Sequence, residues 1–339
     1  MDIFFEENYG KLYEEIENGK CEVYTFNHPL GIVKHLFIKR EVPIQIGSET
    51  YFDIVTPYGY GGPVIIEGED ANKAKLVQEF KKAFQQYCSE QNIISEFVRF
   101  HPVLNNAKDF TDCYEVTFTR KTVGTNLGDH DDPVQAEFSK STRKNIRHAM
   151  RIGVDYRITV NPENLDLFKD IYQDNMKRIG ADMYYYFDES YFAKCLKFFG
   201  EKTILVEALY EEKVIGAELH FFYNNIIHTH LSGTLADFHH LSPVYVMTYG
   251  IAVWGKENGA ELIHAGGGTT NSPDDTLYLF KKKFGKNTEF DFYVGRKVWN
   301  ECIYDELCAA ARVEKEVEFF PAYRSKKAEQ VSEIQNVQG

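Results

Sequence analysis

The 339-residue chain lacks several of the features that would quickly narrow its function. Six cysteines, Cys21, Cys88, Cys113, Cys195, Cys302 and Cys308, stand far apart with no Cys-x-x-Cys pair. That spacing argues against a zinc site and fits reduced structural thiols in a cytoplasmic protein; no metal site is expected, although the histidines of the 213–233 hairpin leave one open. The longest apolar stretch, near Val244–Trp254, is too short and too interrupted to span a bilayer. The opening MDIFFEENYGKLYEEIENGK is acidic and has no signal-peptide pattern. Positive charge is in deficit: 38 Lys and Arg face 51 Asp and Glu, a net charge of −13. Such a balance argues against general nucleic-acid binding but leaves room for a local basic patch. The glycine triplet Gly266–Gly268 is not followed by Gly-Lys-Ser/Thr, so it is not a Walker loop. What the sequence has in quantity is aromatic side chains, 26 Phe and 22 Tyr, which suit large cores and broad pockets for sugars or peptides. A chain of this length is expected to form two domains.

The most informative stretch is 262–286, LIHAGGGTTNSPDDTLYLFKKKFGK. A strand-like run ends in the three glycines, and a short polar loop leads into a helix. Ser272 is the expected cap, Pro273 the first helical residue, and Asp274 and Asp275 suit the positive end of the dipole. Leu277, Phe280 and Phe284 recur at helical spacing as a buried face, and Gly285 is the expected stop. Two aspartates at the helix start would repel a phosphate there. Lys281, Lys282 and Lys283, one to two turns later, are therefore the better anion candidates; the alternative is a solvated lysine run.

In chain order, residues 1–130 read as a first lobe. It has a short helix over 8–18, strands at 21–26, 32–39, 43–47 and 50–55, a helix over 71–91, and strands at 93–100 and 113–121. This alternation fits an α/β or α+β fold. In the loop DIVTPYGYGGP, Tyr58 and Tyr60 can present their rings, and Arg99 is carried by the strand that follows the helix. The turn-rich segment 124–133 marks the expected boundary. A helix then begins near Ser141, with Ile146, Ala149 and Met150 inward and Arg143, Arg147 and Arg151 on another face. Lys140, Arg143 and Lys144 crowd its N-terminus against the dipole, which points to an anionic ligand or else to a solvated basic face. Strands over 213–223 and 226–233 form a hairpin around Asn224-Asn225. Glu218 and His220 share one face of the first; His228, His230 and Ser232 share one face of the second. A three-residue loop would bring all five to one side, and a two-residue loop would split them.

The segment GGGTTNSPDDTLYLFKKKFG resembles the Gly-Gly-Gly…Asp-x-Leu-x-x-Phe-Lys-x-x-Phe segment of the Fem-like transferases, the peptidoglycan-bridge aminoacyl transferases of the GNAT (N-acyltransferase) superfamily. KSTRKNIRHA, MYYYFDESYF, LSGT and FFPAYR add to the resemblance, which is spread over roughly residues 50–325. It implies an α/β (α+β) fold of two tandem GNAT-like lobes, each a mixed twisted sheet flanked by helices. The first would span 1–130, completed by about 313–325, and the second 131–312, with a disordered tail at 326–339. The implied reaction is acyl or aminoacyl transfer to an amine of a cell-wall or polysaccharide precursor. Lys281 and Phe280 match the family's Phe-Lys pair at the transfer site. Glu218 is a candidate base, although the substrate itself is another source. Tyr58, Tyr60, Arg99, Arg178, Tyr186, His230 and Ser232 are the candidate substrate contacts, and Arg143, Arg147 and Lys282 the candidate donor-phosphate contacts.

The R/Q-x-x-G-x-G/A loop of acetyl-CoA users is missing, which favours aminoacyl-tRNA as donor. The long helical-hairpin arm of some tRNA-using relatives is missing too. An acyl-CoA-dependent N-acyltransferase acting on an amino sugar is the alternative enzyme, and a non-catalytic glycan or tRNA-end binding module the alternative outside catalysis. No tightly bound cofactor is expected, and the protein is expected to be a monomer, peripheral at most to a lipid-linked precursor.

Overall fold

The computed structural model describes residues 1–325; the expected tail at 326–339 lies outside them. The chain begins with a 3-10 turn (Ile3–Phe5), α1 (Glu7–Leu12), β1 (Gly19–His28), β2 (Gly31–Glu41), β3 (Phe52–Val55), β4 (Val64–Gly68), α2 (Lys73–Glu90), β5 (Ile93–Arg99) and β6 (Glu115–Asn126). It continues through α3 (Pro133–Glu137), α4 (Lys140–Arg151), β7 (Asp155–Val160), α5 (Asp166–Ile179), α6 (Glu189–Phe199), β8 (Thr203–Tyr210), β9 (Lys213–Tyr223), β10 (Ile226–Thr234), α7 (Pro243–Glu257), β11 (Leu262–Gly267) and α8 (Thr276–Lys281). It closes with β12 (Glu289–Val298) and α9 (Glu301–Ala310). The fold is mixed α+β, with mixed sheet flanked by helices. No helix among the described residues is long and apolar enough to cross a membrane.

Two compact units emerge, one of residues 3–119 with 292 onward and one of 120–291. The chain passes between them inside β6 and returns inside β12, rather than at the expected 130 and 312. The polar look of 124–133 misleads because Gly124, Thr125 and Asn126 continue the strand. Gly124 is required there: a Cβ would sit 2.8 Å from Leu262 and 2.9 Å from Phe290.

In the first unit the strand order is β1-β2-β3-β5-β12, with β4 on the other half of β2. The expected strand at 43–47 is absent, since Pro43 cannot donate to a ladder and only an Ile46–Glu49 bridge forms. Two further strands lie outside the sequence expectation: VIIEG at 64–68, which carries no clear period, and DYRITV at 155–160, whose polar–apolar alternation is a strand signal left unused. The helix α2 buries Leu76, Val77, Phe80, Phe84 and Cys88. Two carboxylates are sealed in this unit. Asp53 accepts from Arg40 Nε (2.8 Å), from the Tyr323 hydroxyl (3.2 Å) and from Arg324. Glu96 meets His35 Nε2 (2.5 Å), the Tyr114 hydroxyl (3.1 Å) and Trp299 Nε1 (3.0 Å).

In the second unit the order is β6-β11-β10-β9-β8-β7. β6–β11, β10–β9, β9–β8 and β8–β7 pair antiparallel, and β10 pairs parallel with β11, to which α7 connects it. The β10–β11 ladder holds only at residues 226–228 and 262–264, although β10 runs on to Thr234 and β11 to Gly267. The two strands therefore part toward their C-terminal ends. In open α/β sheets such an opening is where ligands enter.

Candidate functional site

The hairpin between β9 and β10 turns on Asn224 (φ 45°) and Asn225 (φ 64°), the two-residue turn whose twist suits a hairpin. It sets His228 opposite Phe221 and Thr229 opposite His220. A bulge then leaves His230 unpaired, after which Leu231 faces Leu219 and Ser232 faces Glu218. The two-residue loop splits the polar residues, and the bulge rejoins part of them. Glu218, His220 and Ser232 share the face that carries Ile204 and Val206. His228 lies on the other. Ser232 Oγ donates to Glu218 Oε1 (3.3 Å), and His220 Nε2 lies 3.3 Å from Glu218 Oε2. His230 instead meets the Tyr191 hydroxyl (2.6 Å) and the Phe221 ring. Burial, with His228 and His220 nearby, pushes His230 down to about 3, so it stays neutral.

Across the parting of β10 and β11 stands the glycine loop. The helix after it starts later than its punctuation suggests, with Asp275 as cap instead of Ser272, because Asp275 gathers the loop as well. Its Oδ2 accepts from the N–H and hydroxyl of Thr269 (3.0 and 2.8 Å) and of Thr270 (2.8 and 3.0 Å); its Oδ1 accepts from Tyr278 N (2.9 Å). The Tyr278 N–H and the Thr269 hydroxyl hold this carboxyl well below the usual range. Gly268 has no room for a side chain: a Cβ would come 2.2 Å from Asp275 Oδ1. The face expected from Leu277 is wrong, since Leu277 and Leu279 are exposed and α8 ends before Phe284. Gly285 is no simple stop either. Its Cβ would strike the Gly124 carbonyl at 1.9 Å, so it permits a backbone contact.

The three lysines are not equivalent. Lys281, half-buried, donates Nζ to the Gly267 carbonyl (2.7 Å). Burial lowers its pKa to about 8; Asp275 and Glu218 partly offset this, and Arg120 adds to it. Phe280 packs edge-on against Tyr245 (5.6 Å) and against Phe284 (5.4 Å), which fixes the turn that carries Lys281. Lys282 is paired with Glu289 (2.8 Å) and so is already neutralised. Lys283 is exposed.

The basic helix α4 is capped by Ser139, whose Oγ accepts from Thr142 N (3.1 Å), not by Ser141. Its buried side is Thr142, Ile146 and Ala149; Met150, expected inside, is exposed. Arg143 donates to the carbonyls of Gln135 (3.2 Å) and Phe138, whereas Arg147 is exposed. Arg178, exposed near the end of α5, donates to Asn175. Tyr186 ends the 3-10 turn Met183–Tyr185. In the first unit, Tyr60 packs against Phe4 and Phe292, the Tyr58 carbonyl accepts from the Tyr9 hydroxyl (2.9 Å), and Arg99 Nη1 donates to the Thr56 carbonyl (3.0 Å). Sequence reasoning missed Arg120, which donates to the Gly268 carbonyl (2.6 Å), and Tyr191. Tyr191 lies inside MYYYFDESYF but is not singled out there; Arg120 sits in no motif, and only the fold of β6 against β11 brings it to the loop.

Residues 136–275 match the family described as acetyltransferase (GNAT) domain. No curated protein matches the chain. Among solved structures, FemX superposes with a TM-score of 0.68 at 13% identity, covering 90% of this chain and 94% of that one. A C-terminal domain from Agrobacterium fabrum, assigned to a lysylphosphatidylglycerol synthetase, gives 0.53 at 12% identity over 91% and 92%. The L-PGS from Bacillus licheniformis gives 0.52 at 12% identity over 90% and 95%. These matches support an acyltransferase. Over 136–275 the chain is similar to the GNAT acetyltransferase domain, and over 90% of its length it has the fold of FemX.

Proposed function

We propose that this protein transfers an acyl or aminoacyl group to an amine of a cell-wall or polysaccharide precursor, in the manner of the Fem-like enzymes, with aminoacyl-tRNA as donor. The observation that carries the reading is Lys281, a half-buried ammonium tied to the Gly267 carbonyl where β10 and β11 part, within electrostatic reach of Glu218. Amide formation needs a neutral amine, an activated acyl ester or thioester, and stabilisation of the oxygen that becomes negative. The amine attacks the acyl carbonyl and a C–N bond forms. Lys281 faces the developing oxyanion. Glu218, oriented by Ser232, accepts the proton that the amine sheds. The C–O or C–S bond to the donor breaks, and the leaving oxygen or sulfur takes up a proton. The likeness to FemX supports the choice of a cell-wall precursor as acceptor, and acyl-CoA is the second donor because GNAT domains in general use it.

Incubation of the purified protein with labelled aminoacyl-tRNA, and separately with labelled acyl-CoA, in the presence of amino-sugar and peptide precursors, tests this. Label is expected in an amide product with the charged tRNA. Transfer from acyl-CoA alone selects the second donor. No transfer from either, with glycan binding retained, would leave a binding module in its place.

A further inference from the structure

The glycine loop holds two cations where the sequence motif supplies one. Lys281 Nζ donates to the Gly267 carbonyl (2.7 Å), and Arg120 Nη1 donates to the next carbonyl, Gly268 (2.6 Å). Arg120 lies flat on the loop: a Cβ on Gly267 would come 3.1 Å from its Cδ and 3.5 Å from its Cγ, so any other residue there would press on it. The Arg120 Nε is buried and meets no partner among the described residues.

The nearby carboxylates are already engaged. Asp275 is occupied by five donors, and Glu218 accepts from Ser232, with His220 Nε2 3.3 Å from its other oxygen. Two half-buried like charges beside one loop repel each other, and a buried N–H without an acceptor costs further free energy. A carbonyl satisfies one hydrogen of each cation but neutralises no charge. An oxyanion would do both: it accepts from the spare N–H groups and cancels the repulsion.

We propose that Arg120 and Lys281 together bind one oxyanionic group of the reactants, either a phosphate of the donor or acceptor, or the oxygen that turns negative during transfer. The proposal rests on the reading of Lys281 as part of the transfer site and adds Arg120 to it.

The test has two arms. In the first, inorganic pyrophosphate is titrated calorimetrically into the wild type, Arg120→Gln, Lys281→Gln and the exposed control Lys283→Gln. Loss of a charge-assisted hydrogen bond is expected to weaken binding about tenfold in each of the first two variants and not in the control. That result assigns the site to a phosphate present before reaction. The second arm measures single-turnover transfer. Pyrophosphate binding that is absent or equal in all four proteins, with kcat reduced about tenfold in Arg120→Gln at unchanged KM, assigns the site to the oxygen that develops charge in the reaction. Arg120→Gln behaving like Lys283→Gln in both arms overturns the proposal. Thermal unfolding checks that Arg120→Gln is folded; if it is not, Arg120→Lys, which keeps the charge but loses the guanidinium fork, replaces it. The first arm needs no donor, so it reads Arg120 even if the proposed transfer reaction fails.

Discussion

In the first unit, Asp53 and Glu96 each meet three hydrogen-bonding side chains that come from distant points of the sequence: Arg40, Tyr323 and Arg324 around one, His35, Tyr114 and Trp299 around the other. In the second unit, Glu218 has one hydroxyl and a histidine contact, Arg120 has a buried Nε with no partner among the described residues, and Lys281 has one carbonyl. Both units bury charge within a few residues of a strand, but Asp53 and Glu96 each meet three side-chain donors, whereas Arg120 and Lys281 meet backbone carbonyls alone. A satisfied network fixes structure. A partly satisfied one leaves hydrogen-bonding capacity and charge for a reactant, and perturbed titration at such a place marks a functional candidate.

The comparison can be tested at its strongest point first. Asp53→Ala leaves Arg40 and Arg324 without their buried partner, and the chain is expected to lose about 3 kcal/mol of stability. Urea unfolding measures this loss, and the rate per folded molecule should hold. A slowed rate at full folding would break the contrast between the units.

Lys281→Ala should do the opposite. Turnover is expected to fall about 100-fold, as for loss of an oxyanion donor, with the unfolding midpoint hardly moved. Lys283→Ala should leave both unchanged. The pH profile sharpens the point. Because Lys281 is lowered from 10.5 to about 8, kcat/KM should fall as pH rises through about 8, where the ammonium loses its proton. Lys281→Arg, which keeps its charge, should shift that limb upward. Stability should move the other way. Between about 8 and 10.5 the unfolded chain holds the proton that the folded chain has lost, so stability rises with pH across that window.

The smallest effect is expected on α4. Arg143→Gln with Arg147→Gln should weaken donor binding a fewfold and reduce its salt dependence by up to about two phosphate contacts. Binding to charged tRNA at several salt concentrations measures it. Since Arg143 is already tied to two carbonyls, most of the change should come from Arg147. An unchanged salt slope would mark α4 as a solvated basic face.

What could be read in the sequence depended on how local the signal was. The period of α2 and the Asn-Asn hairpin are written in neighbouring residues, and each appears in the structure where its pattern put it. The cap of α8 was misread because Ser272-Pro273 is a good local start. Asp275 outcompetes it only through hydrogen bonds to Thr269 and Thr270 that no spacing rule contains. Arg120 was invisible for a stronger reason: it stands nearly 150 residues from Gly268, and only the pairing of β6 with β11 joins them. The side of β10 on which Ser232 falls was undecidable from loop length alone, because the answer needed both the two-residue turn and the bulge.

That bulge is a buffer of one residue in β10. His230 acts as a spacer of one: it is the extra step that returns Ser232 to the side of Glu218 after the turn has set the strand out of phase. With all residues kept and the bulge ironed out, Leu231 would stand opposite Glu218 and Ser232 opposite Ala217, whereas loss of His230 itself would close the ladder with Ser232 still opposite Glu218. The hairpin therefore tolerates a shortening by one residue at the bulge, while a lengthening by one would need a second bulge to keep Ser232 beside Glu218.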